Sequence, residues 1–154
     1  MNYDNNLVSV IVNCYNGEKY LKKSIQSILS QTYENFEIIF WDNNSTDNSK
    51  KVIQEFKDPR IKYYKSEKYL KLYNARNLAI QKANGKFITF LDTDDWWDEN
   101  KLQKQVSLFS NNKDIGFIYT NFFIYNEFKN KKKKFFNGLL PSGSITQDLL
   151  DNYR

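Results

Sequence analysis

This chain predicts an α/β domain, a mostly parallel central sheet flanked by helices, and three observations carry that prediction. Strand-like and helix-like patterns alternate from Val8 to about Tyr125, neither an internal repeat nor a Pro/Gly/Ser linker interrupts them, and three of the apolar strand candidates run out into polar, Asn- or Asp-containing clusters. In order, Leu7-Val8-Ser9-Val10-Ile11-Val12 reads as a buried strand, and Asn16 as the cap of a helix. That helix places Leu21, Ile25, Ile28 and Leu29 at i, i+4, i+7 and i+8. Phe36 to Trp41 is a second strand. Ser45 or Thr46 then opens a helix that buries Val52, Ile53 and Phe56 and is ended by Asp58-Pro59. Ile61 to Tyr64 makes a shorter strand, Asn74 to Ala83 a helix closed by Asn84-Gly85, and Phe87 to Leu91 the next strand. A helix is expected from near Asp98 with Asp95 as its cap, another strand over Gly116 to Tyr125, and a short helix over Gln147 to Asn152.

Composition narrows the chemistry. The chain has 154 residues, 40% hydrophobic and 17% aromatic, enough for a globular core in one piece. No stretch approaches the ~20 apolar residues that cross a bilayer, and the polar start Met1 to Asn6 lacks the regions of a secretory signal, which predicts a cytoplasmic chain. One cysteine, Cys14, excludes an internal disulfide. With no histidine at all, Ser-His-Asp and Cys-His systems and imidazole-dependent zinc sites are excluded. What remains is chemistry on carboxylates, Arg, Lys, Tyr, backbone donors or a hard cation bound through oxygen, which points towards phosphate-bearing substrates.

Asp92-Thr93-Asp94-Asp95 is the sharpest local signal. Carboxylates crowded at a strand's end raise one another's pKa unless a cation, an arginine or backbone donors neutralise them. A divalent-cation site and an acidic turn capping the next helix both account for the four residues. Strands joined by helical crossovers run parallel, so the ends near Asn13, Asp42 and Asp92 open onto one sheet edge, where ligands of open α/β sheets bind. Asn13-Cys14-Tyr15-Asn16, Asp42-Asn43-Asn44-Ser45 and Asp92 to Asp95 thereby form one predicted cleft, and this convergence favours a functional site.

Val8-Ser9-Val10-Ile11-Val12-Asn13-Cys14-Tyr15-Asn16-Gly17, Ser27-Ile28-Leu29-Ser30-Gln31-Thr32-Tyr33, Ala75-Arg76-Asn77, Asn84-Gly85-Lys86-Phe87 and the Asp42 and Asp92 clusters together resemble the family 2 glycosyltransferases. The similarity runs from Leu7 to Asn126. It implies a Rossmann-like nucleotide-diphospho-sugar transferase fold of type A. It also implies a nucleotide-diphosphate sugar donor, a Mn2+ or Mg2+ ion on the diphosphate, and inversion at the anomeric carbon by a single displacement.

Carried onto this chain, the resemblance puts Asn13 and Tyr15 beside the nucleoside, with Tyr15 stacking on the base or packing beside it. Asp42 falls where the family usually has paired aspartates for base and ribose. The second position here is Asn43, whose amide can accept from a pyrimidine N3-H or donate to a base carbonyl, which leaves the base undecided. Arg76 meets a phosphate or anchors a cleft carboxylate. Asp94 is the residue that matches the direct metal ligand, and Asp92 contacts ribose or the metal. The family's glycines before the arginine segment are replaced by Lys68-Tyr69-Leu70-Lys71-Leu72-Tyr73, a loop ordered differently and able to close over the donor. No residue is assigned as general base. Residues 1–126 are thus the expected nucleotide-sugar-binding domain, and 127–154 a basic hairpin with the start of a truncated acceptor-binding region.

Lys129 and Lys131 to Lys134, flanked by Phe128, Phe135 and Phe136, supply much of the net charge of +5. A solvated turn is one reading. Peripheral contact with anionic lipid at the inner face of the membrane is another, in keeping with a saccharide or lipid-linked acceptor. Nucleic acid is not expected as a partner, because no recognition module accompanies the basic run. The oligomeric state is left open.

Other classes were weighed. A haloacid-dehalogenase-type phosphatase also carries Asp-x-Asp after a strand, but its nucleophilic aspartate follows the first core strand and precedes Thr or a small residue, and the late position here and Trp96-Trp97 argue against it. Those tryptophans also occupy positions where a calcium loop needs a ligand and a glycine. A non-catalytic nucleotide-binding module is the other alternative. The transferase reading is an enzyme of bacterial surface polysaccharide synthesis.

Overall fold

The computed structural model describes residues 6–145, which fall into two compact units meeting between Lys113 and Asp114. In the first unit, β1 (Val8–Cys14), α1 (Glu18–Leu29), β2 (Phe36–Asp42), α2 (Ser49–Glu55), β3 (Ile61–Lys65), α3 (Leu72–Ile80), β4 (Phe87–Phe90) and α4 (Lys101–Asn111) alternate along the chain. The four strands form one parallel sheet in the order β3-β2-β1-β4. The type A glycosyltransferase fold expected from the resemblance is the one observed.

Strand β1 is VSVIVNC and β2 is FEIIFWD, both almost wholly buried because helices cover both faces of their sheet. Alternate residues therefore serve two cores. Val8, Val10 and Val12 pack with Phe36, Ile38 and Phe40 against Leu21, Ile25 and Ile28 of α1, Ile53 of α2 and Leu102 and Val106 of α4. Ile11, Ile39 and Trp41 pack on the other face against Ala75 and Ala79 of α3, whose small side chains let that helix lie close.

At the amino ends of the strands a buried carboxylate ties four elements together. Glu37 accepts from Ser9 Oγ at 2.6 Å, Lys62 Nζ at 2.6 Å and the Asn84 N–H at 2.6 Å. Gly85 donates its N–H to Ser9 Oγ at 2.8 Å, and a Cβ there would stand 2.6 Å from Ser9 N and 2.7 Å from Leu7 O. Glycine at 85 is required by this close approach to β1, not as the closing residue of α3, which stops at Ile80.

Several expected boundaries shift. Asn16 does not cap α1 through its side chain. It lies in the left-handed region at φ 52°, and its Oδ1 accepts the Thr46 N–H at 2.8 Å. The first N–H groups of α1 are met instead from the next loop, Gly17 donating to Ser49 Oγ and Glu18 to Asp47 Oδ2. Helix α2 begins at Ser49 rather than at Ser45 or Thr46, because those residues are spent lacing the two loops together. Asp95 closes a turn by donating its N–H to the Asp92 carbonyl at 3.1 Å, and α4 starts only at Lys101.

The second unit holds an antiparallel hairpin of β5 (Phe123–Asn126) and β6 (Lys131–Lys134). The strand expected over Gly116 to Tyr125 is thus confined to its last residues. It pairs with the lysine run, so Lys131 to Lys134 form a strand and Glu127 to Asn130 the connection. Every residue of both strands is exposed, and Phe128 in the connection is 100% exposed. The helix expected over Gln147 to Asn152 lies outside the described residues.

Candidate functional site

The parallel register brings the carboxyl ends of three strands to one edge. Cys14 lies opposite Asp42, Ile11 opposite Phe90, and the Leu91 N–H extends the last pairing by donating to the Ile11 carbonyl at 3.1 Å. The three polar clusters predicted to converge do so.

Asn13 is unusual among them. Its Nδ2 and Oδ1 are shielded from solvent without a hydrogen-bond partner, and so is Nε1 of Trp41, the residue opposite it in the β1–β2 register. Unfilled buried donors and acceptors are costly, so this edge carries hydrogen-bonding capacity that a ligand or water would satisfy. One residue on, Tyr15 is half exposed and touches Tyr69, ring centroids 4.7 Å apart and planes at 60°.

Asp42 is fully buried. Its Oδ1 accepts the Ser45 N–H at 2.7 Å and its Oδ2 the Tyr63 hydroxyl at 2.7 Å. Burial first, and then this hydrogen bond, push the Tyr63 phenol well above its ordinary range. Asn43 is engaged too: Nδ2 donates to the Leu70 carbonyl at 2.8 Å and Oδ1 accepts the Leu70 N–H at 3.0 Å. Both residues are therefore committed to the protein itself and shape the edge from behind.

Arg76, on α3, donates from Nη2 to Asp92 Oδ1 at 2.7 Å and lies over the Phe90 ring. Of the two roles expected for it, the structure displays the anchoring of a cleft carboxylate. Asp94 and Asp95 follow in the turn, both exposed. Partial burial of its carboxyl group first, and then the nearby Asp94 and Asp92 charges, raise the Asp95 pKa from its ordinary value. Among the described residues no group of three or more Cys, Asp or Glu side chains could hold a metal alone. Two carboxylates with substrate phosphates and water are nevertheless a common set for Mg2+, and the hard oxygen donors of Asp92 and Asp94 fit such an ion.

The aspartate turn is braced by residues to which the sequence assigned no role. Ser27 Oγ accepts the Trp97 N–H at 3.1 Å, while Gln31 donates from Nε2 to the Asp98 carbonyl at 2.8 Å and accepts the Leu102 N–H through Oε1 at 2.9 Å. Gly17 has no Cβ where one would meet Thr93 Oγ1 at 3.0 Å, which lets the first loop lie against the turn. Ser27 and Gln31 sit inside the Ser-Ile-Leu-Ser-Gln-Thr-Tyr segment of the resemblance, and that was the only signal pointing to them. Cys14 is buried, and that burial raises its thiol pKa, which disfavours the reactive thiolate.

Residues 9–152 match the family described as Glycosyl transferase family 2. The chain is 44% identical over 123 residues to the UDP-Glc:alpha-D-GlcNAc-diphosphoundecaprenol beta-1,3-glucosyltransferase WfgD of Escherichia coli, covering 80% of this chain and 48% of that protein. It is 32% identical over 148 residues to the putative teichuronic acid biosynthesis glycosyltransferase TuaG of Bacillus subtilis, covering 95% and 58%. Among solved structures, S. aureus TarS 1-349 in complex with UDP-GlcNAc superposes with a TM-score of 0.64 at 27% identity, over 68% of this chain and 31% of that one. This chain spans about half the length of the curated relatives it matches.

Proposed function

Because this chain belongs to glycosyl transferase family 2, we propose that it is the nucleotide-sugar-binding part of an inverting glycosyltransferase. The reaction moves a sugar from a nucleotide diphosphate to a saccharide or lipid-linked acceptor in bacterial surface polysaccharide synthesis. The relative WfgD, named for a UDP-Glc donor and a diphosphoundecaprenol acceptor, supports the donor and acceptor classes.

The observation that carries the reading is the meeting of three strand ends: Asn13 with open hydrogen-bonding capacity, Tyr15 with an exposed ring, and the aspartate turn held by Arg76. Asn13 and Tyr15 receive the nucleoside, with Asp42 and Asn43 forming the wall behind it. Arg76 orients Asp92, which would contact the ribose or the metal, and Asp94 would hold the Mn2+ or Mg2+ ion. When bound, that ion takes up charge on the leaving diphosphate. The turn's own contribution is the exposed carboxylates of Asp94 and Asp95 beside an Asp92 already paired with Arg76. The lysine strand and exposed Phe128 give the second unit the chemistry of a peripheral contact with anionic headgroups at the inner face of a membrane. No helix among the described residues is long and apolar enough to cross one.

Calorimetric titration with UDP, dTDP and GDP, each with and without manganese, tests the donor site. One nucleotide is expected to bind in a metal-dependent manner. Asp94→Asn is expected to remove the manganese dependence while leaving the circular dichroism spectrum unchanged; an unaltered manganese dependence would refute the metal assignment.

A further inference from the structure

We infer that Tyr69 is the second wall of the nucleobase site, opposite Tyr15, and that Asn43 is the positioning residue that keeps it there; this rests on the donor-site reading above. Tyr69 and Tyr15 are 57% and 50% exposed, yet their rings are in contact at 4.7 Å, away from both cores. Two large exposed aromatics meeting at a ligand edge are costly surface unless something flat covers them, and a base stacked on aromatic rings gives up little hydrogen bonding.

The backbone that carries Tyr69 is fixed on both sides. Ser66 donates its N–H to the Asp42 carbonyl at 2.9 Å and its hydroxyl to the Lys68 carbonyl at 2.6 Å, and beyond Tyr69 both polar groups of the Asn43 amide are spent on Leu70. Asn43 is only 5% exposed, so a buried amide is being used to hold a surface loop. At 4.7 Å no base fits between the rings. Entry therefore requires the Tyr69 side chain to swing about its own torsions while the braced backbone stays, after which the ring closes over the base on Tyr15.

The test is calorimetry on the full chain with manganese, comparing UDP, dTDP and GDP with pyrophosphate, which carries the phosphates without a base. Tyr69→Ala is expected to weaken the best nucleotide by about tenfold and leave pyrophosphate unchanged, whereas Tyr69→Phe stays within about twofold of wild type. Asn43→Ala is expected to cause a smaller loss, again restricted to nucleotides, and to cost less in the Tyr69→Ala background than in wild type. Equal weakening of pyrophosphate, or an unchanged nucleotide affinity in Tyr69→Ala, would overturn the inference alone. Absence of nucleotide binding by the wild-type chain would overturn the donor site with it.

Discussion

Glu37 shows how much one side chain can organise at the end of the sheet remote from the aspartate turn. Burial pushes its pKa up, but the Lys62 ammonium, the Ser9 hydroxyl and the Asn84 N–H more than offset this, so the carboxyl titrates below its ordinary range. A depressed carboxylate stabilises the fold fully above the ordinary carboxylate pKa and loses that contribution as pH falls through its lower native value. Glu37→Ala, which strands three donors, is expected to cost about 2–4 kcal/mol in urea denaturation at pH 7, with the gap narrowing in acid. None of this was legible in FEIIFWD, where an acid inside an apolar run gives no hint of partners drawn from β1, β3 and the turn before β4. Asp92 and Asp94 were legible for the opposite reason, since their meaning lies in local crowding at a strand end. Tyr15 was legible only through family resemblance, and Tyr69 only as a departure from it.

Among the elements, α1 does more than cover the sheet. Its apolar stripe of Leu21, Ile25 and Ile28 was readable as core from helical spacing alone, while Ser27 within it and Gln31 just beyond its end bind main-chain groups some seventy residues away, which periodicity cannot register. Gln31→Ala should therefore act twice. It should lower stability by about 1–3 kcal/mol, because the Leu102 N–H loses its acceptor in a buried place. It should also weaken manganese-dependent nucleotide binding, because the segment following the aspartates loses its tether. Denaturation and calorimetry on the same variant check both; lost stability with unchanged binding would limit Gln31 to the core. Elements set by strand burial, β1 and β2, were found where the apolar runs stand, whereas helix starts moved by several residues. The loops after β1 and β2 cap each other, and capping in trans leaves no local sequence pattern.

At the scale of the whole molecule, charge is distributed unevenly. Of the 23 basic residues, five are Lys129 and Lys131 to Lys134 in the hairpin, where β6 pairs with Phe123, Ile124 and Tyr125. The chain is expected to sediment with vesicles containing phosphatidylglycerol, to ignore pure phosphatidylcholine, and to be released by salt as screening shortens the range of the attraction. Glutamine at Lys131 to Lys134 should abolish sedimentation, and equal binding to both vesicles would remove the electrostatic basis of the contact. The sheet order β3-β2-β1-β4 carries a consequence for the aspartate turn. Strands β2 and β3 meet across a short crossover, whereas Val8 pairs with Phe87 across the longest stretch of chain that any pairing of this sheet encloses. The aspartate turn rides at the end of that last strand. Its place beside the end of β1 thus depends on the pairing with the largest loop-closure cost in the sheet, and a chain that stops short of Phe87 lacks both that strand and the turn.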